Sequence, residues 1–365
     1  MTEEIFYYLA FSHFLGIGPV KFFLLLKHFL TAKKAYQANR QQLIKLLGEK
    51  LTDKFLAFRQ NFNPVKVYEK LKKEKITVLP YFSTAYPSPL KKIADPPICL
   101  YVKGDATIFN QKDKIYFAIV GTRTPTPYGE QVAKKFSFEL AKAGFIIVSG
   151  MALGIDALSH WSALNAGSKT IAVLGCGVDI VYPSSNRLLY EKIVNGGGAV
   201  VSEFPEKMMV KKGLFIARNR IISGLSRGVL VVEGASDSGS LITARYAADQ
   251  GREVFAPPAP LTFRQSQAPN ILLKQGAKMV TEVNDIFEEF NLKIIPAKKE
   301  DLKKSLTSEE LSIVNLLEQK PLLIDEIVLK SGYLLDKVLN LVSVLEIKGV
   351  VEKNKEGKYQ ITCNV

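Results

Sequence analysis

Residues 115–123, with the sequence IYFAIVGTR, decide the fold class of this chain. Six consecutive nonpolar residues run directly into a glycine, which is typical of a strand that is buried on both faces. Similar runs follow at 145–148, 170–174, 199–201 and 229–232. Segments of helical length lie between the runs, near 128–143, 156–166, 185–195, 216–226 and 240–250. Buried strands that alternate with helices specify parallel strands joined by crossovers, so the sequence predicts an α/β fold with an extended, doubly wound, Rossmann-like parallel sheet.

Three of these strands end in loops rich in glycine and hydroxyl groups. The loops lie at residues 121–124, 149–156 and 233–240. The carboxyl ends of parallel strands meet at one edge of a sheet, where helix N-termini point their free amides into the crevice. We therefore expect the three loops to form one shared anion-binding pocket.

Known cofactor motifs are missing from the sequence. Residues 175–177, GCG, lack the third glycine of a dinucleotide fingerprint, and no P-loop pattern occurs. Cys99, Cys176 and Cys363 lie far apart and have no histidine at ligand spacing. This spacing argues against a disulfide framework and a zinc site, so we expect no cofactor, no metal and a reducing compartment.

The net charge of the 365 residues is +14, and it is unevenly distributed. Residues 1–75 hold 14 Lys/Arg against 6 Asp/Glu, residues 76–300 hold 26 against 19, and residues 301–365 hold 9 against 10. The basic balance of the first two segments favours a polyanionic partner. The most apolar stretch near the N-terminus, residues 20–30, contains Lys21, Lys27 and His28. We therefore predict no signal peptide and no membrane span, and a cytoplasmic location.

The chain divides into three predicted domains and a linker. Residues 1–75 show a helical apolar period and form a helical domain that is SAM-like or helix-hairpin-helix-like. Within it, the Gly-x-Gly turn at residues 16–18 is either a tight turn between packed helices or a place where glycine amides approach a DNA phosphate. Residues 76–292 begin with a Pro-rich connector, to about residue 112, and continue into the Rossmann-like domain. Residues 293–304 form the linker.

Residues 305–365 are predicted to be a winged helix, with three helices and a hairpin. The first helix begins at a capping signal, Thr307 to Glu310. Its third helix offers Lys337 and Lys348 against Asp336 and Glu346, which is a poor electrostatic match for DNA. We therefore favour a protein-binding or structural role for this domain.

Residues 211–226 place cations around an aromatic ring at the start of a predicted helix. Single-stranded nucleic acid requires such a combination, since the ring stacks on a base and the charges bind the backbone. The alternative is that Phe215 belongs to the core while Arg218 and Arg220 are solvated.

Together these motifs resemble the DNA-processing protein A (DprA, also called Smf) family. The resemblance is carried by residues 121–123, 149–156 with His160, 170–175, 182–183, 202–203, 218–222 and 238–244. It implies a protein without catalytic residues that binds and protects single-stranded DNA in natural transformation and recombination and helps to load a RecA-type recombinase. It also implies a homodimer that forms through the α/β domain.

The resemblance also implies a DNA site in the pocket at the strand ends. Its side chains would be Arg123, Lys212, Phe215, Arg218 and Arg220, with close backbone approach at Gly121, Ser149, Gly150, Gly154, Ser238 and Gly239, and further contacts from Thr122, Asn219 and Ser240.

Two other function classes remain open at this point. Asp156, His160, Glu203 and Glu233 could supply an acid and a base, as in a phosphoribohydrolase-like nucleotide hydrolase that uses the same pocket. No nucleophile and base stand at a suitable spacing, and His160 beside Trp161 is typical of a packing residue. The third class is a transcriptional regulator that acts through the winged helix. The net charge of −1 on residues 301–365 disfavours it, because DNA is a polyanion.

Overall fold

The computed structural model describes residues 3–111, 113–292, 306–347, 350–354 and 357–361, without the side chains of Lys212 and Ile347. The chain divides into two compact units, Met1–Phe290 and Asn291–Val365. The predicted linker at 293–304 lies outside the described residues, and the predicted boundary at 75/76 falls between a helix and a strand of the first unit.

The first unit begins with helices, as predicted. They are α1 Glu4–His13, α2 Pro19–Phe29, α3 Ala32–Gln37, α4 Arg40–Leu47, α5 Glu49–Asn61 and α6 Pro64–Lys73. Side-chain caps define several of these starts: Thr31 accepts from the Lys34 amide at 3.1 Å, and Asn39 accepts from the Gln42 amide at 3.0 Å.

A nine-stranded sheet follows. Its strands are β1 Ile76–Pro80, β2 Cys99–Gly104, β3 Tyr116–Val120, β4 Ile146–Ser149, β5 Thr170–Val173, β6 Ala199–Ser202, β7 Gly228–Val231, β8 Glu253–Ala256 and β9 Lys278–Met279. Their order is β1-β2-β6-β5-β4-β3-β7-β8-β9. The two pairs that involve β2 are antiparallel and all others are parallel, with Ala118 beside Val148 on one side and Val229 on the other. The predicted doubly wound sheet is confirmed.

Helices cover both faces of this sheet. They are α7 Ser88–Lys91, α8 Pro127–Lys142, α9 Ile155–Asn165, α10 Arg187–Asn195, α11 Lys212–Leu225, α12 Gly239–Asp249, α13 Gln267–Lys274 and α14 Asn284–Glu289, with 3-10 turns at Ala106–Asn110, Ser184–Asn186 and Arg264–Ser266. Strands β4, β5 and β6 lie in sequence order on one side of β3, and strands β7, β8 and β9 lie in sequence order on the other side. The order of the strands therefore reverses between β3 and β7, which is where a doubly wound sheet opens a crevice for a ligand.

The N-terminal helices share a core with one edge of the sheet. Leu9, Phe11, Phe22 and Phe55 are fully buried, and they belong to the same apolar cluster as residues of β1 and β2: Ile76, Val78, Cys99 and Tyr101. The Pro-rich connector of the sequence thus supplies the edge strand β1 and its neighbour β2, and the helices pack against both.

Glu206, between β6 and α11, joins the helices to the sheet through ion pairs. Its carboxylate lies 3.3 Å from Nε2 of His13 and 3.2 Å from Nζ of Lys70. Burial opposes ionisation of the carboxyl group, but the hydrogen bonds and charges of His13 and Lys70 outweigh it and lower the pKa of Glu206 to about 2.

The second unit has the predicted winged-helix elements. They are α15 Ser308–Leu317, α16 Ile324–Ser331, α17 Leu335–Ile347, and the antiparallel strands β10 Val351–Lys353 and β11 Tyr359–Ile361. A capping box between Thr307 and Glu310 starts α15, and the unit has its own apolar core. Lys337 of α17 pairs with Glu309 at 2.6 Å, whereas Lys348 lies outside the described residues.

Within the described ranges, the helices are too short or too polar to cross a membrane.

Candidate nucleic-acid interface

A cleft of about 790 Å³ opens where the strand order reverses. The loop after β3, the loop after β7 and the first turns of α11 and α12 form its walls. Its lining contains nine of the predicted site residues: Gly121, Thr122, Arg123, Phe215, Arg218, Asn219, Ser238, Gly239 and Ser240. The structure therefore brings together most of the residues that the sequence placed in one pocket.

Glu233, at the end of β7, holds the loop that carries Arg123. Its carboxylate accepts from the backbone amide and the hydroxyl of Thr126 at 2.9 and 2.5 Å, and its carbonyl accepts from the Thr122 amide at 2.8 Å. The carboxylate is fully enclosed, with Gly129 packed against it. This clamp fixes the loop after β3, while Arg123 itself stays exposed.

The loop after β4 and the first turn of α9 contribute Ala152 and Asp156 to the lining of the cleft. Asp156 accepts from the amides of Gly150 and Ala152 at 3.1 and 3.4 Å, and burial raises the pKa of its carboxyl group. Gly154 has a φ of +73°, and a Cβ there would lie 2.5 Å from the carbonyl oxygen of Thr122. Only glycine fits this close approach between the two loops.

Arg218 lines the cleft, although its side chain is almost completely buried. Its Nη1 donates to the carbonyl oxygens of Gly150, at 2.7 Å, and Val173, and its Nε donates to Asn219 at 3.1 Å. The side chain is buried, which lowers its pKa, and the nearby carboxylate of Asp156 opposes that effect. Arg218 therefore ties the ends of β4 and β5 to α11.

Phe215 lies between a cation and a second ring. The guanidinium carbon of Arg123 is 5.7 Å from the centre of the Phe215 ring, and the centre of the Tyr182 ring is 5.5 Å away, with 39° between the ring planes. Phe215 is half-buried, whereas Tyr182 is 42% exposed. The cleft thus presents two aromatic rings and a cation that can stack on planar groups.

The remaining predicted residues lie around this cluster or outside it. Ser149 is buried below the cleft and donates to the Ile119 carbonyl at 2.7 Å. Asn219 reaches across to the Gly239 carbonyl at 3.2 Å, next to the Ser238 hydroxyl that caps α12. Lys212 is the first residue of α11, and its side chain lies outside the described residues.

Arg220 does not line the cleft. It donates two hydrogen bonds to Glu203, at 2.7 and 2.9 Å, and one to Asp95 at 2.8 Å, and it is only 4% exposed. Residues two apart on a helix point to nearly opposite sides. The structure therefore directs Arg218 toward the strand ends and Arg220 toward Glu203 and Asp95.

The groups considered for acid–base chemistry all have structural partners. Asp156 and Glu233 bind the amides described above, and Glu203 pairs with Arg220. His160 is fully buried, and its Nδ1 lies 2.7 Å from the Thr170 hydroxyl. Burial lowers the pKa of His160 to about 3, so its ring is neutral. The described residues contain no cluster of three or more His, Cys, Asp or Glu that could hold a metal ion.

Tyr182 is the main residue of the cleft that the sequence did not assign to the site. Residues 182–183 are among the segments that carry the family resemblance. They follow β5, however, and lie outside the three glycine and hydroxyl loops. An exposed tyrosine beside a proline could have been the signal, because an aromatic residue in a loop has no place in the strand and helix pattern.

Comparisons with known proteins agree with this architecture. Residues 77–291 match the family model for DNA recombination-mediator protein A, and residues 297–357 match the DprA winged helix domain. The chain is 33% identical to the Smf protein of Synechocystis, covering 98% of this chain and 99% of that protein. It is 44% identical to the DNA processing protein DprA of Bacillus subtilis, over 61% of this chain and 74% of that one.

Two solved structures are similar as well. The X-ray structure of DprA from Streptococcus pneumoniae has a TM-score of 0.68 at 31% identity, covering 79% of this chain and 98% of that chain. The DNA processing protein A of Helicobacter pylori, described for its single-stranded DNA binding mode, has a TM-score of 0.54 at 32% identity and covers 60% of this chain and 96% of that chain.

Proposed function

Since the chain belongs to the DNA recombination-mediator protein A family, we propose that it binds single-stranded DNA in the cleft between β3 and β7. The observation that carries this proposal is the cluster of Arg123, Phe215 and Tyr182, in which two rings and an exposed cation share one opening. Unpaired bases can stack on such rings irrespective of sequence, while the guanidinium group binds a phosphate.

The backbone around the cluster supports the same proposal. The first turn of α12 begins at Gly239, behind the cap provided by Ser238, and both residues line the cleft. Helix α12 has 11 residues, and the free backbone amides at the start of such a helix bind anionic groups. A strand whose bases stack on Phe215 would therefore place phosphates between Arg123 and α12.

We favour binding over catalysis because the candidate acid and base groups are already engaged. Glu233 clamps the loop after β3, and His160 is held neutral against Thr170. A nucleotide hydrolase would need one of them free to exchange protons with a substrate. Incubation of the chain with nucleoside monophosphates, followed by chromatography, should show no released base, and turnover that Glu233→Gln abolishes would favour the hydrolase.

The main test is salt-dependent binding of oligo-dT compared with a duplex of equal length. We expect tighter binding of oligo-dT, little preference among single-stranded sequences, and weaker binding as salt rises. Preference for one duplex sequence would instead support a transcriptional regulator.

We also propose a role for this binding in natural transformation and recombination, where the cytoplasmic chain protects incoming single strands and helps to load a RecA-type recombinase. Nuclease digestion of oligo-dT tests protection, and the rate at which a RecA-type recombinase nucleates on the strand tests loading. Protection without faster nucleation would restrict the role to binding.

The proposed assembly is a homodimer through the α/β domain. A twofold dimer doubles the contacts that one strand can make within one complex. Sedimentation of a chain that lacks residues 301–365 should still show a dimer at micromolar concentration. A monomer would place the interface elsewhere.

A further inference from the structure

A second basic cleft lies in the helical segment, outside the site described above. We call it the lysine cleft. It has a volume of about 350 Å³ and is lined by Lys21, Leu47, Gly48, Glu49, Lys50, Leu51 and Lys54. Lys50 and Lys54 are one turn apart on α5, so they lie on the same face of that helix.

The glycine turn at residues 16–18 brings Lys21 to this cleft. A Cβ at Gly16 would lie 2.9 Å from Cδ1 of Leu51, so the turn packs directly against the start of α5. Lys21 follows in the first turn of α2. Three lysines from two helices thereby face one shallow opening.

The carboxylates of the segment do not neutralise these lysines. Arg40 holds Glu49 at 2.8 Å and Asp53 at 2.7 Å, and Lys33 pairs with Glu3. Within residues 3–111 and the other described ranges, no carboxylate lies within ion-pair distance of Lys21, Lys50 or Lys54, and all three are exposed. Like charges gathered in this way are stabilised by a polyanion that neutralises several at once.

The lining also restricts how such a polyanion is recognised. The lysine cleft is lined by two leucines and contains no aromatic ring, in contrast to the cleft with Phe215 and Tyr182. Bases would find no surface for stacking there, whereas ammonium groups bind phosphate as point charges.

We propose that the lysine cleft is a second DNA-contacting surface, which binds the phosphodiester backbone without contacting bases. It rests on the proposed function insofar as the ligand is DNA, but it concerns a different surface of the first unit. The phosphates can belong to a single strand or to a duplex, because both present the same diester groups.

The test uses the full chain and two matched triple variants. One carries Lys21→Gln, Lys50→Gln and Lys54→Gln, and the control carries Lys27→Gln, Lys34→Gln and Lys66→Gln, which are exposed lysines of the same segment outside the cleft. Glutamine keeps the helix propensity of lysine, so both variants should unfold like the wild type. The probes are oligo-dT and a hairpin duplex, in fluorescence anisotropy over a salt series.

We expect the cleft variant to flatten the plot of log K against log salt by about 0.7 per lysine for oligo-dT, and about 0.9 for the duplex. The control should keep the wild-type slope. A change with one probe only identifies the source of the phosphates and supports the proposal. Equal slopes for both variants and the wild type would overturn it.

The two proposals fail separately. If the cleft variant behaves like the wild type while Arg123→Ala flattens the slope, the lysine cleft is excluded and the main site stands. If the wild-type chain binds neither probe, both proposals are wrong.

Discussion

The guanidinium group of Arg123 lies over the ring of Phe215, although Arg123 belongs to the loop after β3 and Phe215 to helix α11. The pair closes one side of the cleft at the point where the strand order reverses. A cation over a ring is worth roughly 0.5 to 1 kcal/mol at an exposed site. In the proposed DNA site, a base that stacks on the ring would therefore displace the guanidinium group at a modest cost, and the cation would remain close enough to bind a phosphate.

Replacement of Arg123 by alanine should flatten the dependence of log K on log salt by roughly 0.7 for oligo-dT, because one phosphate contact is lost. The free energy of unfolding should change little, since the side chain is exposed. Arg245→Ala, on an exposed position of α12 outside the cleft, serves as the control. An unchanged slope in folded Arg123→Ala would remove Arg123 from the DNA site.

Loss of the Phe215 ring should weaken oligo-dT binding by about 1 to 3 kcal/mol if it stacks on a base. Tyr182→Ala should show a loss in the same direction, and Phe82→Ala, an exposed ring outside the cleft, should bind normally. The affinity for oligo-dT and the free energy of unfolding, from chemical denaturation, should be measured on the same preparation of each variant. A stability loss of about 3 to 5 kcal/mol with normal binding by the folded fraction would assign Phe215 to the core instead.

Arg220 should contribute to the free energy of unfolding, and it should not affect how the affinity for oligo-dT depends on salt. Arg220→Ala leaves the Glu203 carboxylate buried without its partner, which typically costs about 3 to 5 kcal/mol of unfolding free energy. The double variant Arg220→Met with Glu203→Met should recover much of that loss, because the remaining charge is then also removed. A flattened slope in Arg220→Met with Glu203→Met would show that Arg220 reaches the DNA after all.

His160 should make the first unit sensitive to acid. Its pKa in the folded chain, about 3, is below the ordinary value near 6.5, so the unfolded chain binds the extra proton between these limits. The free energy of unfolding should therefore fall as pH decreases from 6.5 toward 3, by up to about 1.4 kcal/mol per pH unit.

Denaturation at several pH values, compared with His160→Asn, checks this prediction. Asparagine can keep a donor near the Thr170 hydroxyl but does not titrate, so the unfolding free energy of the wild type minus that of the variant should increase as pH rises from 3 to 6.5 and then level off. A difference that does not vary with pH would contradict it.

The parallel strands could be predicted because their signal is local. Residues 115–120 and 229–232 are continuous buried runs, and the structure places β3 and β7 within a residue or two of them. Strands β1, β8 and β9 were not predicted, since β1 lies in a Pro-rich segment and β9 has only two residues. Their pairing depends on neighbours that are distant in the chain.

In the candidate site, too, features with a local sequence signal could be predicted and contacts between distant residues could not. The glycine and hydroxyl loops were found because they follow buried strands directly. The different surroundings of Arg218 and Arg220 could not be found, because Asp95 lies 125 residues before Arg220 in the sequence. Tyr182 was missed for a similar reason, since only the folded chain brings its ring against Phe215.

The shared core between the N-terminal helices and strands β1 and β2 determines where this chain tolerates truncation. Removing residues 1–75 would expose nonpolar side chains of β1 and β2 to water, including Ile76, Val78 and Tyr101. An exposed nonpolar patch of this kind promotes aggregation. The winged-helix unit, in contrast, has its own cluster of buried nonpolar residues. A chain that lacks residues 1–75 should therefore precipitate, whereas a chain that lacks residues 301–365 should remain in solution.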